Sequence, residues 1–137
     1  MKRYVLDACA LVAFFNDEAG AVIVEKLLCE AVQGRCAVLM NKYNLLEVYY
    51  GYFRANGEHF AENILSIVEN SNIQVCEVLT DSLLRKAGRF KASNKMSLAD
   101  AMALSQAVDE QAVLVTADHH ELDVVSKIGE VEFLWVR

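Results

Sequence analysis

Four acidic residues, Asp7, Glu47, Asp100 and Asp118, stand where a folded chain could gather them into one cleft. Asp7 follows the apolar run Arg3-Tyr4-Val5-Leu6, and Thr116-Ala117-Asp118 follows Ala112-Val113-Leu114-Val115. Both runs have the length of short buried strands, and in open α/β sheets ligands collect at the carboxyl ends of strands. Asp100 and Glu47 fall on helical segments. At about 100° per residue, Asp100 lies inside an apolar arc of Ala101, Leu104, Ala107 and Val108, with Ser105, Gln106, Asp109 and Glu110 on the other side. Glu47 lies at the margin of an aromatic arc, beside Tyr43 and Tyr50. Four carboxylates meeting in one cleft repel one another and resist joint ionisation. A hard divalent cation, Mg²⁺ or Mn²⁺, resolves this: it takes carboxylate oxygens, keeps some waters and leaves positions for phosphate oxygens. Zinc fits less well, because no Cys/His set has ligand spacing. Such an ion can polarise a phosphodiester, lower the pKa of a bound water and stabilise the leaving oxygen. The chemistry that follows is phosphodiester hydrolysis, with one ion or two left open.

Each acid taken singly also has a structural reading. Asp100 lies three residues after Ser97, where a capping-box acid belongs. Asp7 and Asp118 are suited to capping a helix after a strand, and Glu47 to a solvated helix face. The joint pattern of two strand-end acids and two acids on helix edges favours chemistry.

The elements that must position these acids alternate. A strand over 3–6 leads to a short helix over 8–15. A longer helix opens at Asp17-Glu18, carries Ala21, Val24, Leu27, Leu28 and Ala31 at helical spacing, and stops at Gly34. A strand over 36–40 precedes a helix capped by Asn41 and running to about residue 54, and Gly57 separates that helix from the next, over 58–70. A strand over 72–75, a basic helix over 81–91, the helix capped by Ser97, the strand over 112–115 and a last strand over 131–136 complete the chain. Strands alternating with helices predict βαβ units, right-handed crossovers and a parallel sheet in one three-layer α/β domain over 1–137.

Composition agrees. Of 137 residues, 55% are hydrophobic and 23% charged, which suits an ordered globular chain. No apolar run approaches the ~20 residues of a membrane helix. Asp7 interrupts the first apolar stretch, so a signal peptide is not expected and the cytoplasm is the expected compartment. Cys9, Cys29, Cys36 and Cys76 make no CxxC pair, which predicts reduced, mostly buried thiols. The net charge of −6 argues against broad non-specific nucleic-acid binding but leaves room for a local basic patch.

The ordered set of acids resembles the PIN domain, and within it the small VapC-type toxin ribonucleases. The resemblance covers essentially the whole chain. It rests on the first strand ending in Asp7, on Glu47 in the third helix, on Leu98-Ala99-Asp100-Ala101 and on Thr116-Ala117-Asp118. It implies a Rossmann-like PIN fold, with a central parallel sheet flanked by helices. It also implies a cytoplasmic Mg²⁺- or Mn²⁺-dependent endoribonuclease leaving 5′-phosphate products, the toxin of a type II toxin–antitoxin pair. Asp7, Glu47, Asp100 and Asp118 would form its acidic site, with Thr116 helping to hold the last acid. An RNA substrate, a cognate antitoxin and a homodimer come with it. Ala8 departs from the Ser or Thr common beside the first Asp in that family, and whether Glu121 or Asp123 adds a further acid stays open.

Rival readings are a catalytically silent PIN-like module that binds RNA or protein, and a phosphatase using Asp7 as nucleophile. The phosphatase family would want a second Asp two residues on, where Cys9 stands; Cys9 itself lacks a phosphate-cradling loop and is expected to be buried and inert. His119 and His120 are expected in a solvent-facing loop, and His59 on a helix surface. Arg85 and Arg89, with Lys86, Lys91 and Lys95, offer either a phosphate-tracking stripe or a solvated face. The arc of Tyr43, Tyr49, Tyr50, Tyr52 and Phe53 is broader than one core face needs and predicts an interface.

Overall fold

The computed structural model describes residues 1–126 and 129–137; the side chains of His120, Glu121 and Val124 lie outside the described set, and the expectations for His120 and Glu121 lie there with them. Five strands, β1 (Lys2–Leu6), β2 (Cys36–Asn41), β3 (Ile73–Cys76), β4 (Val113–Thr116) and β5 (Phe133–Trp135), form a parallel sheet in the order β3-β2-β1-β4-β5. The helices are α1 (Ala8–Phe15), α2 (Ala21–Val32), α3 (Lys42–Asn56), α4 (Glu58–Glu69), α5 (Asp81–Ser93), α6 (Leu98–Asp109) and α7 (His119–Ser126). Parallel neighbours require crossovers, and these helices supply them.

The sheet divides the core in two. Leu6, Val38, Met40 and Val115 join α1–α4 on one face; Val5, Leu39 and Leu114 join Phe90, Leu104, Leu122 and Val125 on the other. The chain builds outward from β1 to β3, then crosses back to place β4 on the other side of β1. The order reverses between β1 and β4, so a crevice opens beyond their carboxyl ends. Asp7 follows β1, and Asp118 lies two residues after β4. The topology thus puts both strand-end acids at the reversal.

The fold departs from expectation in several places. The longer helix begins at Ala21, not at Asp17: Asp17 has φ of 53°, and Gly20, at φ of 96°, is its N-cap. A Cβ on Gly20 would meet the Val136 carbonyl oxygen at 2.0 Å, so both backbone angle and close approach require glycine there. The last strand is trimmed to Phe133–Trp135, and α7 takes the place of an expected loop. Ser105 and Gln106, expected opposite the apolar arc, are buried, because α6 touches the sheet, α3 and α5 at once. Of the cysteines only Cys36 is buried; Cys9 and Cys29 reach the surface.

Candidate functional site

Asp7 ends β1 and caps α1. Its Oδ1 accepts a 2.8 Å hydrogen bond from the Ala10 amide, and its Oδ2 accepts from Thr116 Oγ1. The same Thr116 oxygen accepts the Asp118 amide at 3.0 Å. A continuous line, Asp118 N–H to Thr116 Oγ1 to Asp7 Oδ2, therefore crosses the reversal between the two strands. Asp7 is only 1% exposed. Burial pushes its carboxyl up to about 7; the bonds from Thr116 and Ala10 oppose this, and the Asp118 and Glu47 charges add to it.

Asp100 lies in the first turn of α6, buried, with its amide on the Ser97 cap at 3.1 Å. Glu47 is half-buried on α3. Cys9 registers all four acids: its thiol is pushed up to about 12 by burial first, then by Asp7, Asp118, Asp100 and Glu47. The residue as a whole is exposed in the first turn of α1, not buried as expected, although its sulfur is partly shielded from water. A thiol held protonated in a negative field is still no nucleophile.

Two buried asparagines that the sequence offers only as a cap or not at all tie the start of α3 to α6. Asn41 caps α3 through the Tyr43 amide and donates its Nδ2 to Gln106 Oε1 on α6 at 2.8 Å. Asn44, 1% exposed, donates its Nδ2 to the Ala99 carbonyl at 3.0 Å, beside Asp100. Its Oδ1 is buried without a hydrogen-bond partner among the described residues. Asn44 and Glu47 stand three residues apart on α3, neighbours on one helical face, and that spacing was the available signal.

A hard divalent ion is compatible with this chemistry: carboxylate oxygens in a shared field, plus a buried amide oxygen seeking a partner, are oxygen donors of the right kind. Among the described residues no three His, Cys, Asp or Glu side chains form a ready-made cage. What the acids share is an electrostatic field, felt at Asp7 and at Cys9.

Other candidates separate from this cluster. His119 opens α7 instead of lying in a solvent-facing loop, and its imidazole is raised by bonds to Asp123 and the Arg137 carbonyl. Asp123 is engaged with that ring at 2.8 Å. Arg85 and Arg89 are exposed on α5; Arg89 pairs with Glu130 at 3.1 Å, and Lys91 donates to the Met96 carbonyl. In the aromatic arc, Tyr52 is buried and Tyr49 half-buried, while Tyr43, Tyr50 and Phe53 are exposed, as is the neighbouring Leu46.

The sequence model of the PIN domain matches residues 4–128. The chain belongs to the PIN domain family. Its fold is that of several solved PIN structures. VapBC2 from Rickettsia felis bound to a promoter DNA fragment matches with TM-score 0.73 and 15% identity, over 96% of this chain and 97% of that one. DNA-bound VapBC from Salmonella typhimurium matches with TM-score 0.73 and 14% identity over 100% of both chains. VapC20 from Mycobacterium tuberculosis, described as a sarcin–ricin-loop-cleaving toxin, matches with TM-score 0.70 and 18% identity, over 94% and 97%. No curated protein matches by sequence. At these identities the structural likeness establishes the PIN architecture, and the acids of this PIN domain must be argued from their own surroundings.

Proposed function

We propose that residues 1–137 form one PIN domain acting as a Mg²⁺- or Mn²⁺-dependent endoribonuclease, the toxin of a type II toxin–antitoxin pair. The observation that carries this reading is the hydrogen-bonded line from Asp118 through Thr116 to Asp7, set at the sheet's reversal in the field of Glu47 and Asp100. In this reading Asp7, Glu47, Asp100 and Asp118 hold the ion. When bound, the ion supplies Lewis-acid polarisation of the phosphodiester and lowers the pKa of its water. Thr116 holds the Asp7 carboxyl through its hydroxyl. A cation held there would favour the ionised form of Asp7, so its binding would be coupled to loss of the Asp7 proton.

The phosphatase alternative is disfavoured by Cys9, which stands two residues after Asp7 where that chemistry would want a second Asp. The RNA substrate is supported by the sarcin–ricin-loop cleavage ascribed to VapC20, and a cognate antitoxin by the VapBC neighbours. Exposed Tyr43, Leu46, Tyr50 and Phe53 suit an antitoxin groove or self-association as a homodimer. Among the described residues no helix is long and apolar enough to cross a membrane, and the cytoplasm remains the proposed compartment. The test is cleavage of a total RNA pool by the purified chain in EDTA and in Mn²⁺. Metal-dependent fragments bearing 5′-phosphates are expected. RNA bound but uncut under every metal condition would favour the silent binding module.

A further inference from the structure

His119 follows the candidate acid Asp118 directly, and its ring is fixed on three sides. Nδ1 lies 2.8 Å from Asp123 Oδ1, and Nε2 lies 2.7 Å from the Arg137 carbonyl oxygen. One face of the imidazole stacks on Trp135, with centroids 4.0 Å apart and planes 15° from parallel. Trp135 in turn stacks on Phe133 at 5.2 Å and 18°. Phe133 and Trp135 belong to β5, at the edge of the sheet, so the three rings form a column there. The His119 side chain is still 47% exposed. Both in-plane nitrogens are engaged and one face is covered, and among the described residues no other ring stacks on His119, which leaves the opposite face as the one that could receive a further ring.

The column sits beside the acids. Trp135 is the register partner of Thr116, whose hydroxyl touches both Asp7 and Asp118. An open aromatic face is thereby held one strand away from the crevice. A flat ring already fixed in place gives up little conformational freedom when another ring stacks on it. Stacking of a base on such a face tolerates any sequence, because every base has a π-face.

We propose that the His119–Trp135–Phe133 column is a stacking platform that receives an unpaired base of single-stranded RNA on the outer face of His119. The proposal rests on the ribonuclease reading. The stacked base holds the adjoining backbone at the mouth of the crevice, so the platform positions substrate without itself taking part in the chemistry.

Trp135 is the chain's one tryptophan, so its fluorescence reports on the column directly. The experiment titrates a short single-stranded RNA into the protein in EDTA, where cleavage is stopped, and repeats it with an abasic oligonucleotide of equal length and charge. The wild type is expected to bind the base-bearing strand at least about tenfold more tightly. His119→Ala should remove most of that difference, and His119→Phe, which restores a stackable ring without the two hydrogen bonds, should recover it. Melting curves check that both variants fold. Equal affinity for the two strands, unchanged binding by His119→Ala, or equal weakening in the Ala and Phe variants would each overturn the platform. Metal-dependent cleavage by wild type together with unchanged binding by His119→Ala would sink the platform and leave the ribonuclease reading standing. Base-dependent binding that His119→Ala abolishes, with no cleavage under any metal, would do the reverse.

Discussion

The two ends of the sheet treat charge in opposite ways. At the amino end, Lys2 pairs with Glu132, Arg3 with Glu110 and, nearby, Arg89 with Glu130, all with solvent access. These are balanced, screened pairs of the kind worth about 0–1 kcal/mol each. At the carboxyl end, Asp7 is buried, is held by the neutral donors Ala10 N–H and Thr116 O–H, and feels the like charges of Asp118 and Glu47. A fold selected only for stability would not keep a carboxyl in that position, since burial and repulsion both work against its charge. The amino end holds charge where water tolerates it. The carboxyl end holds a carboxyl whose charge only a proton or a bound cation would relieve, and strained electrostatics of that kind mark functional sites.

Changes at the two ends should therefore have very different consequences. The largest effect is expected from Thr116→Val, which keeps shape and deletes the hydroxyl between Asp7 and Asp118. RNA cleavage should fall about 10–100-fold, the usual cost of removing a hydrogen bond that orients a metal ligand; cleavage at the wild-type rate would dissolve the contrast. A smaller, purely electrostatic effect is expected on α5. Arg85→Ala with Arg89→Ala should weaken RNA binding broadly and lower the salt slope by about one for each phosphate no longer neutralised. An unchanged slope would assign this helix to the same balanced, solvated class as the amino end. The smallest effect is expected from Arg3→Ala, with a stability loss of at most about 1 kcal/mol in denaturant melts and RNA cleavage intact.

Local signals in the sequence were enough to place the strands and the acids that end two of them. Asp7 and Asp118 each follow a short apolar run, and the Ser97 cap and Gly57 break are likewise local. What escaped depends on tertiary neighbours. The Thr116–Asp7 bond joins residues 109 apart, and Asn41–Gln106 joins residues 65 apart. Ser105 and Gln106 read as a polar face because periodicity assumes one buried side, whereas α6 is enclosed all round. Helix α7 opens with His-His-Glu, and among the described residues its core side is Leu122 and Val125, too few apolar positions to declare a period. The start of α2 moved to Ala21 because Gly20 must pass close to Val136, a constraint invisible without the far end of the chain.

The central claim is that Asp7 is a ligand-poised acid held against its own electrostatics. It is tested most directly by melting wild type and Asp7→Asn across pH, in EDTA and in Mn²⁺. Asparagine keeps the N-cap acceptor for Ala10. Asp7 is raised from 3.8 unfolded to about 7 folded, so the native state retains a proton that the unfolded chain has released. Its contribution is full below about pH 4 and is lost as pH rises through about 7, a few kcal/mol in all at about 1.4 kcal/mol per unit. In EDTA, wild type should lose stability over that window while Asp7→Asn changes less and melts at or above wild type near neutrality. Added Mn²⁺ should raise the wild-type melting temperature by mass action, and the variant should forfeit most of that gain. A variant that melts below wild type at every pH, with its Mn²⁺ gain intact, would contradict the account.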